Sequence, residues 1–420
     1  MKVVKGASMR WFSKFAVAAA CAFLQACATP PAVAPLTPSA VTEARQPVTI
    51  LISIDAFRPD YLAHGNTPNL DALAAGGVQA TMRPSYPTLT FPNHTTLVTG
   101  LRPDHHGIVA NTFRDPARPG EKFYNKDLSA LDPFWWAQEE PLWITAEKAG
   151  IRSGTMFWPG EEAAHGNVRP SDWARFDPNF TSAQRVLTLE DWMRRPAALR
   201  PKFMTLYFDD VDKTGHKQGP MAPETIAAVR HIDALIGGLR DTLSGLGQPV
   251  NFVIVSDHGM RDVEPDKAVL LQKILPSESY DLVFYGPLAA IAPKPGHEEA
   301  VARALTAPNP LMTCWRKADV PAAFAYGRSP RVAPIICQGI RGGDVLPGAP
   351  TNKGEHGYDI DDPEMTALFL VNGPAFRRDA RIPVKFDNVD LYPMLARLVG
   401  VAPLPNDGNA ATLAPLLAAR

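Results

Sequence analysis

Neither sign of charge prevails in this chain: 42 Lys and Arg stand against 43 Asp and Glu, a net charge of −1. A protein that coats nucleic acid needs a basic excess, so stable nucleic-acid binding is not expected. A small nucleotide substrate remains open. Apolar runs of membrane-spanning length are also missing: Phe15 to Leu24 falls short of the ~20 residues an ordinary transmembrane helix needs. There is no internal repeat. Cysteine is scarce, with four in 420 residues. Proline is not scarce: 42 residues is about twice the usual ~5%. With 45% hydrophobic residues, that points to many fixed turns in a loop-rich globular fold rather than to disorder. The length suffices for a large core.

The first 27 residues read as a segment outside the fold. Lys2, Lys5, Arg10 and Lys14 make a basic start, and the apolar run ends in Leu24-Gln25-Ala26-Cys27. That ending resembles a bacterial lipobox, which is cut before the cysteine as the cysteine is lipidated. The resemblance implies an exported chain anchored through Cys27 at the periplasmic face, on the outer membrane in a Gram-negative host. Plain secretion, with cleavage near Ala28, is the alternative. Residues 28–47 are Pro/Ala-rich and read as a semi-rigid tether. Cys21 would leave with the signal, so Cys314 and Cys337 remain. In an oxidising compartment they suggest one disulfide, against two buried free thiols. No nearby cysteine or histidine completes a metal site with them.

Beyond the tether, continuous apolar runs end in polar residues. Val48 to Ile54 precedes Asp55, Phe203 to Phe208 precedes Asp209, and Asn251 to Ser256 precedes Asp257; Thr366 to Val371 is a fourth run. Such runs read as strands buried on both faces, hence a largely parallel sheet. Helical patterns at Asn69–Ala75, Pro223–Leu243 and Val389–Leu398 alternate with them. An α/β catalytic domain follows, over 48–261 and 351–420. In such sheets ligands bind beyond the carboxyl ends of the strands, where Asp55 and Asp257 fall. Residues 262–350 break the pattern with strand-like stretches (Ser279–Phe284, Ala289–Ile291), a helix (His297–Leu305) and both remaining cysteines. They read as a small insertion subdomain.

The candidate chemistry lies in five short motifs. Asp55 ends a strand, which alone is an ordinary turn cap. Thr90 precedes Phe91-Pro92-Asn93-His94 and reads as an N-cap, with proline tolerated in the first turn. A helix N-terminus stabilises phosphoryl oxygens. Asp212 and His216 lie four apart across what reads as a glycine turn, with Gly219-Pro220 after it. Asp257-His258-Gly259 places two ligand types on one corner, and His356 sits on a glycine-flanked loop. A catalytic zinc commonly takes three protein N/O ligands. Six Asp and His residues therefore suit two ions, with the Thr90 hydroxyl on the substrate side. The other histidines belong to no complete motif; His94 stands nearest to one.

The set and its order resemble the nucleotide pyrophosphatase/phosphodiesterase family of the alkaline phosphatase superfamily, over residues 48–400. The motifs that carry it are Asp55-Ala-Phe-Arg-Pro-Asp-Tyr61, Pro87-Thr-Leu-Thr-Phe-Pro-Asn-His94, Asp212-Lys-Thr-Gly-His-Lys-Gln-Gly-Pro220, Ser256-Asp-His-Gly-Met260 and Gly354-Glu-His-Gly-Tyr358. Ala56 stands where the family usually has glycine, with no change in chemistry expected. The resemblance implies an alkaline-phosphatase-like three-layer sandwich, its mostly parallel sheet flanked by helices. It implies two Zn²⁺, one on Asp212, His216 and His356 and the other on Asp55, Asp257, His258 and Thr90. It makes Thr90 the nucleophile, Asn111 a donor to a phosphate oxygen, and Phe91 and Tyr207 walls for a nucleobase. The implied reaction releases nucleoside 5′-monophosphates through a phosphothreonine. Alternatives within the superfamily are a phosphate monoesterase and a phosphonate hydrolase. Monoesterases place extra cationic charge at the phosphate, whereas Phe91 rather than an arginine follows Thr90. A surface lipoprotein that only binds is the alternative from outside enzymology.

Overall fold

The computed structural model describes residues 44–418. The signal, Cys27 and the tether up to residue 43 lie outside that range. Val48–Ile54 is buried at every position, each large apolar side chain contributing about 1.5–3 kcal/mol against the entropy of ordering it. It lies between the parallel strands Phe203–Phe208 and Val250–Val255. Ser153–Met156 extends one side of this sheet in parallel. On the other side come Ala367–Asn372, Val78–Arg83 and Lys385–Asp387, making seven strands.

Side chains alternate across these strands. Ile50, Ile52 and Ile54 pack with Leu70, Leu189 and Ile232, from helices Pro68–Ala75, Ser182–Arg194 and Pro223–Gly245. Leu51, Val253 and Val255 pack with Val98, Trp143 and Leu395, from helices Thr90–Thr99, Leu142–Lys148 and Leu391–Val399. The result is a sheet between two helical layers, the three-layer α/β architecture that the sequence implies.

One strand departs from the expectation of parallel pairing. Ala367–Asn372 runs antiparallel to both neighbours, with Phe369 opposite Val255 and Leu368 opposite Thr81. A strand buried on both faces looks the same in sequence whichever way it runs. Its direction matters, because its N-terminal end then lies at the edge where the parallel strands end. The loop carrying His356 is thereby delivered to that edge.

A second, antiparallel sheet has the order Tyr280–Phe284, Leu288–Pro293, Ile335–Gly339, Met312–Arg316. Helix Glu298–Thr306 covers one face through Val301 and Leu305. An aromatic cluster including Tyr86, Phe113, Trp135 and Trp136 meets the other face at Leu288 and Ile336. Cys314 and Cys337 are directly opposite on neighbouring strands and form a disulfide, so of the two readings left open the bond is the one observed.

Ala56 has φ +56°, the left-handed region that costs an L-residue roughly 1–2 kcal/mol. Its N–H donates to Asp257 Oδ1 at 3.2 Å, so the strained turn ties two strand ends together. Ala56→Gly should relieve that strain, less about 0.4–1 kcal/mol of added unfolded-state freedom. The expected outcome is a gain of about 0.5–1 kcal/mol in a urea melt, and a loss of stability would contradict it.

Candidate metal centre

The site sits where the parallel strands end. Asp55 follows the central strand, Asp257-His258 follow its neighbour, and Thr90 opens a helix beside them. Asp212 and His216 lie on helix Asp210–Gln218. The expected glycine turn is therefore one turn of helix, which sets i and i+4 on one face. Gly215 is helical and lies close under Met260: a β-carbon there would lie 3.3 Å from that side chain. A β-carbon on Gly354 would come 2.5 Å from the Gly215 carbonyl, so the His216 helix and the His356 loop meet backbone to backbone.

Two groups of ligand atoms result, Asp212/His216/His356 and Asp55/Asp257/His258, each with its atoms within 4.8 Å of one another. In the first, Asp212 Oδ1 lies 3.4 Å from His216 Nε2 and 3.6 Å from His356 Nε2. In the second, His258 Nε2 lies 2.9 Å from Asp257 Oδ2 and 3.7 Å from Asp55 Oδ1. The rings of His258 and His356 stack at 3.7 Å, so the groups adjoin. Each imidazole donates its Nδ1 proton to a backbone carbonyl: His216 to Gly354, His356 to Thr88, and His258 to Gly259. Nε2 is thereby turned toward the carboxylates, where a bound metal would meet its lone pair. Asp212 Oδ1, Asp55 Oδ1 and Asp257 Oδ2 are buried without a hydrogen-bond partner among the described residues. Unpaired buried carboxylate oxygens are costly. Cations facing them would satisfy both the oxygens and the nitrogens, so the residues fit divalent metal ions.

Proton positions follow from the same crowding. Burial raises Asp55 well above the usual carboxylate range, and the charges of Asp257 and Asp212 add to this. Burial would raise Asp212 also, but His216 and His356 outweigh it and hold it at about 2. Burial pulls His216 down, yet Asp212 and Glu355 lift it to about 10. His356 is lowered to about 3 by burial and by His258. Without cations the ligands thus form an Asp212–His216 ion pair, with protons standing where metals would.

Thr90 is the first helical residue and Leu89 takes the cap position, with φ −120° and ψ 153°. The expected N-cap role is therefore wrong by one residue. The Thr90 hydroxyl makes no cap bond and instead lies 3.4 Å from His258 Nε2. Asn111 is half-buried, and its Oδ1 accepts from Phe91 N at 3.0 Å, leaving Nδ2 for another acceptor. Phe91 is half-buried and meets Phe123 edge to face at 5.9 Å.

Tyr207 is not a wall for a base. It is 7% exposed, its hydroxyl donates to Asp55 Oδ2, and its ring meets His94 edge to face at 5.1 Å. A phenol on a doubly buried strand needs an internal partner, and a ligand carboxylate supplies it.

Other motif residues act as ties that sequence reasoning did not assign. Thr88 Oγ1 donates to Tyr358 O and accepts from Gly357 N. Asn93 Nδ2 donates to the carbonyls of Ser85, Pro87 and Leu89, fixing the loop before Thr90. Tyr61 OH donates to Pro220 O, and Arg58 Nη1 to Met260 O. Their place inside the five motifs was the available signal.

Residues 49–359 match the family model for type I phosphodiesterase/nucleotide pyrophosphatase. Ectonucleotide pyrophosphatase/phosphodiesterase family member 1 of mouse is 34% identical over 91% of this chain, which spans 44% of that protein's length. Human family member 7 is 34% identical over 88% of this chain and 83% of its own. The solved structure of murine family member 5, an inactive threonine-to-alanine variant in complex with AMP, superposes with a TM-score of 0.83 at 31% identity. It covers 89% of this chain and 100% of that one.

A cation entering the first group must displace the His216 proton, so its affinity should rise with pH until His216 titrates near 10. Calorimetric zinc titration of metal-free protein near neutral pH, in two buffers of different ionisation enthalpy, should register proton release. Uptake with no released proton would contradict the ion-paired metal-free site.

Proposed function

The chain belongs to the type I phosphodiesterase/nucleotide pyrophosphatase family, and on that premise we propose that it is a two-zinc enzyme hydrolysing nucleotide phosphodiester or pyrophosphate bonds to nucleoside 5′-monophosphates. Asp212, His216 and His356 would hold one ion, and Asp55, Asp257 and His258 with the Thr90 hydroxyl the other. Bound there, divalent cations supply Lewis-acid stabilisation of phosphoryl oxygens and acidify a coordinated hydroxyl or water. The observation that carries the reading is Thr90 Oγ1, free of the helix cap and 3.4 Å from His258 Nε2.

Thr90 Oγ attacks phosphorus as its own proton leaves, and the bond from phosphorus to the leaving oxygen breaks. The departing alcohol or phosphate takes up a proton. Water then cleaves the phosphothreonine, restoring the Thr90 hydroxyl and freeing the 5′-monophosphate. Asn111 Nδ2 donates to a non-bridging oxygen, placed by the Phe91 N–H that its Oδ1 accepts. Phe91 lends an apolar ring beside the nucleophile, which favours a diester carrying a base. The neighbour inactivated at a threonine and bound to AMP supports both choices.

We further propose export, with Cys27 lipidated and the enzyme held at the periplasmic face. The lipobox-like ending supports this, as does the Cys314–Cys337 disulfide, a bond that persists in oxidising compartments.

Thr90→Ala should retain metal and lower kcat/KM by at least about 10³-fold, measured on a nitrophenyl nucleotide diester. Wild-type turnover in that variant rules out Thr90 as nucleophile. The unaltered enzyme should prefer that diester to nitrophenyl phosphate, and the reverse preference points to a monoesterase. Mass analysis of the mature N-terminus should find a diacylated or triacylated Cys27; an unmodified start elsewhere refutes the anchor.

A further inference from the structure

His94 is fully buried and belongs to neither ligand group, yet it touches both the nucleophile's backbone and a ligand of the second group. Its Nδ1 donates to the Thr90 carbonyl at 2.9 Å and lies 3.3 Å from Asp257 Oδ2. Both neighbours are acceptors, so Nδ1 carries the proton. Nε2 is then a lone pair, and it accepts from Ser53 Oγ at 2.8 Å. Ser53 is itself fully buried on the central strand. The ring is fixed from two further sides. Trp158 meets it edge to face at 5.0 Å and donates Nε1–H to the His94 carbonyl at 3.1 Å. Tyr207 meets it at 5.1 Å while donating to Asp55. Trp158 is held in turn by Glu161, whose carboxylate accepts from Phe157 N and Trp158 N at 2.9 Å each.

We infer that His94, in the tautomer set by Ser53, is a positioning residue that fixes the Thr90 backbone against the Asp257 carboxylate, and so sets the distance between the nucleophile and the second cation. This rests on the reading of Thr90 and of the Asp55/Asp257/His258 group given above. The N–H held on Thr90 O also stands 3.3 Å from Asp257 Oδ2, so the ring sits between the helix that carries the attacking oxygen and the strand end that carries the carboxylate. Displacing the ring would move the hydroxyl relative to the ion without removing either. The residue touches no reacting atom; it acts through Thr90 and Asp257. Residues that orient metal ligands in this way typically change metal affinity or turnover by about 10–100-fold.

The test uses the full chain and zinc alone as the probe. His94→Asn places an amide N–H where Nδ1 stands, and His94→Gln places one where Nε2 stands. Zinc retained per chain is read against a graded chelator, alongside kcat and KM on the diester. The expected result is that His94→Gln loses about 30-fold or more in zinc retention and in kcat, with KM little changed, while His94→Asn keeps most of both. If His94 only fills space, the larger glutamine does better than asparagine, and that order overturns the inference. Should neither variant fold, ¹⁵N-imidazole spectra of the unaltered chain decide: a protonated Nδ1 with a bare Nε2 supports the inference, and a proton on Nε2 overturns it. Thr90→Ala separates the two readings. It abolishes turnover and keeps zinc if the functional reading holds, whatever the His94 variants do.

Discussion

Three backbone carbonyls govern the site. Gly354, Thr88 and Gly259 each take the Nδ1 proton of one imidazole, and that single choice turns three Nε2 atoms inward. On His216 and His258 a proton then faces Asp212 and Asp257, and a cation would take its place. The carbonyls are fixed by close backbone packing. The Gly354 chain runs against the Gly215 carbonyl, and a β-carbon on Gly259 would lie 1.9 Å from the Glu364 carbonyl. Gly354 and Gly259 thus serve the geometry of the site through contact, not through flexibility.

Direction of a strand matters as much. Most of the clustered Asp and His residues follow parallel strands at their carboxyl ends, Asp212 and His216 on a helix there, and a single antiparallel strand brings the His356 loop to the same edge. Leu368 N donates to Ser256 Oγ, which itself donates to Phe57 O. Two motif-bearing segments and the antiparallel strand are tied through one hydroxyl beside Asp257.

That these Asp and His residues gather into two groups could be read from sequence because their chemistry is local: Asp and His at strand ends next to glycine have few structural uses that come as a complete set. The central strands were legible for the same reason, since seven buried residues in a row leave little choice. What could not be read was decided by distant partners. The Asp212–His216 segment contains a glycine and looks like a turn, but Met260 and Gly354 press on it from elsewhere in the chain. Thr90 resembles a cap because threonine caps helices, and only the backbone angles of Leu89 show that the cap is one residue earlier. Tyr207 looked available because an aromatic residue late in a strand can face either way, and its facing depends on Asp55, some 150 positions before it. Val78–Arg83 and Ser153–Met156 escaped notice because their short runs mix polar with apolar residues.

Between His258 and His356 the chain makes a long excursion, and the excursion closes on itself. Arg261 and Asp262 pair with Glu355 and Gly354 in a two-residue antiparallel ladder, and Val263 N reaches back to Lys353 O. This ladder is a neck. The chain between Val263 and Lys353 leaves and returns through it, so the ends that carry His258 and His356 are held together there whatever the length between them. Since the cost of closing a loop grows only slowly with its length, segments could be gained or lost beyond the neck with little effect on where the two imidazoles meet.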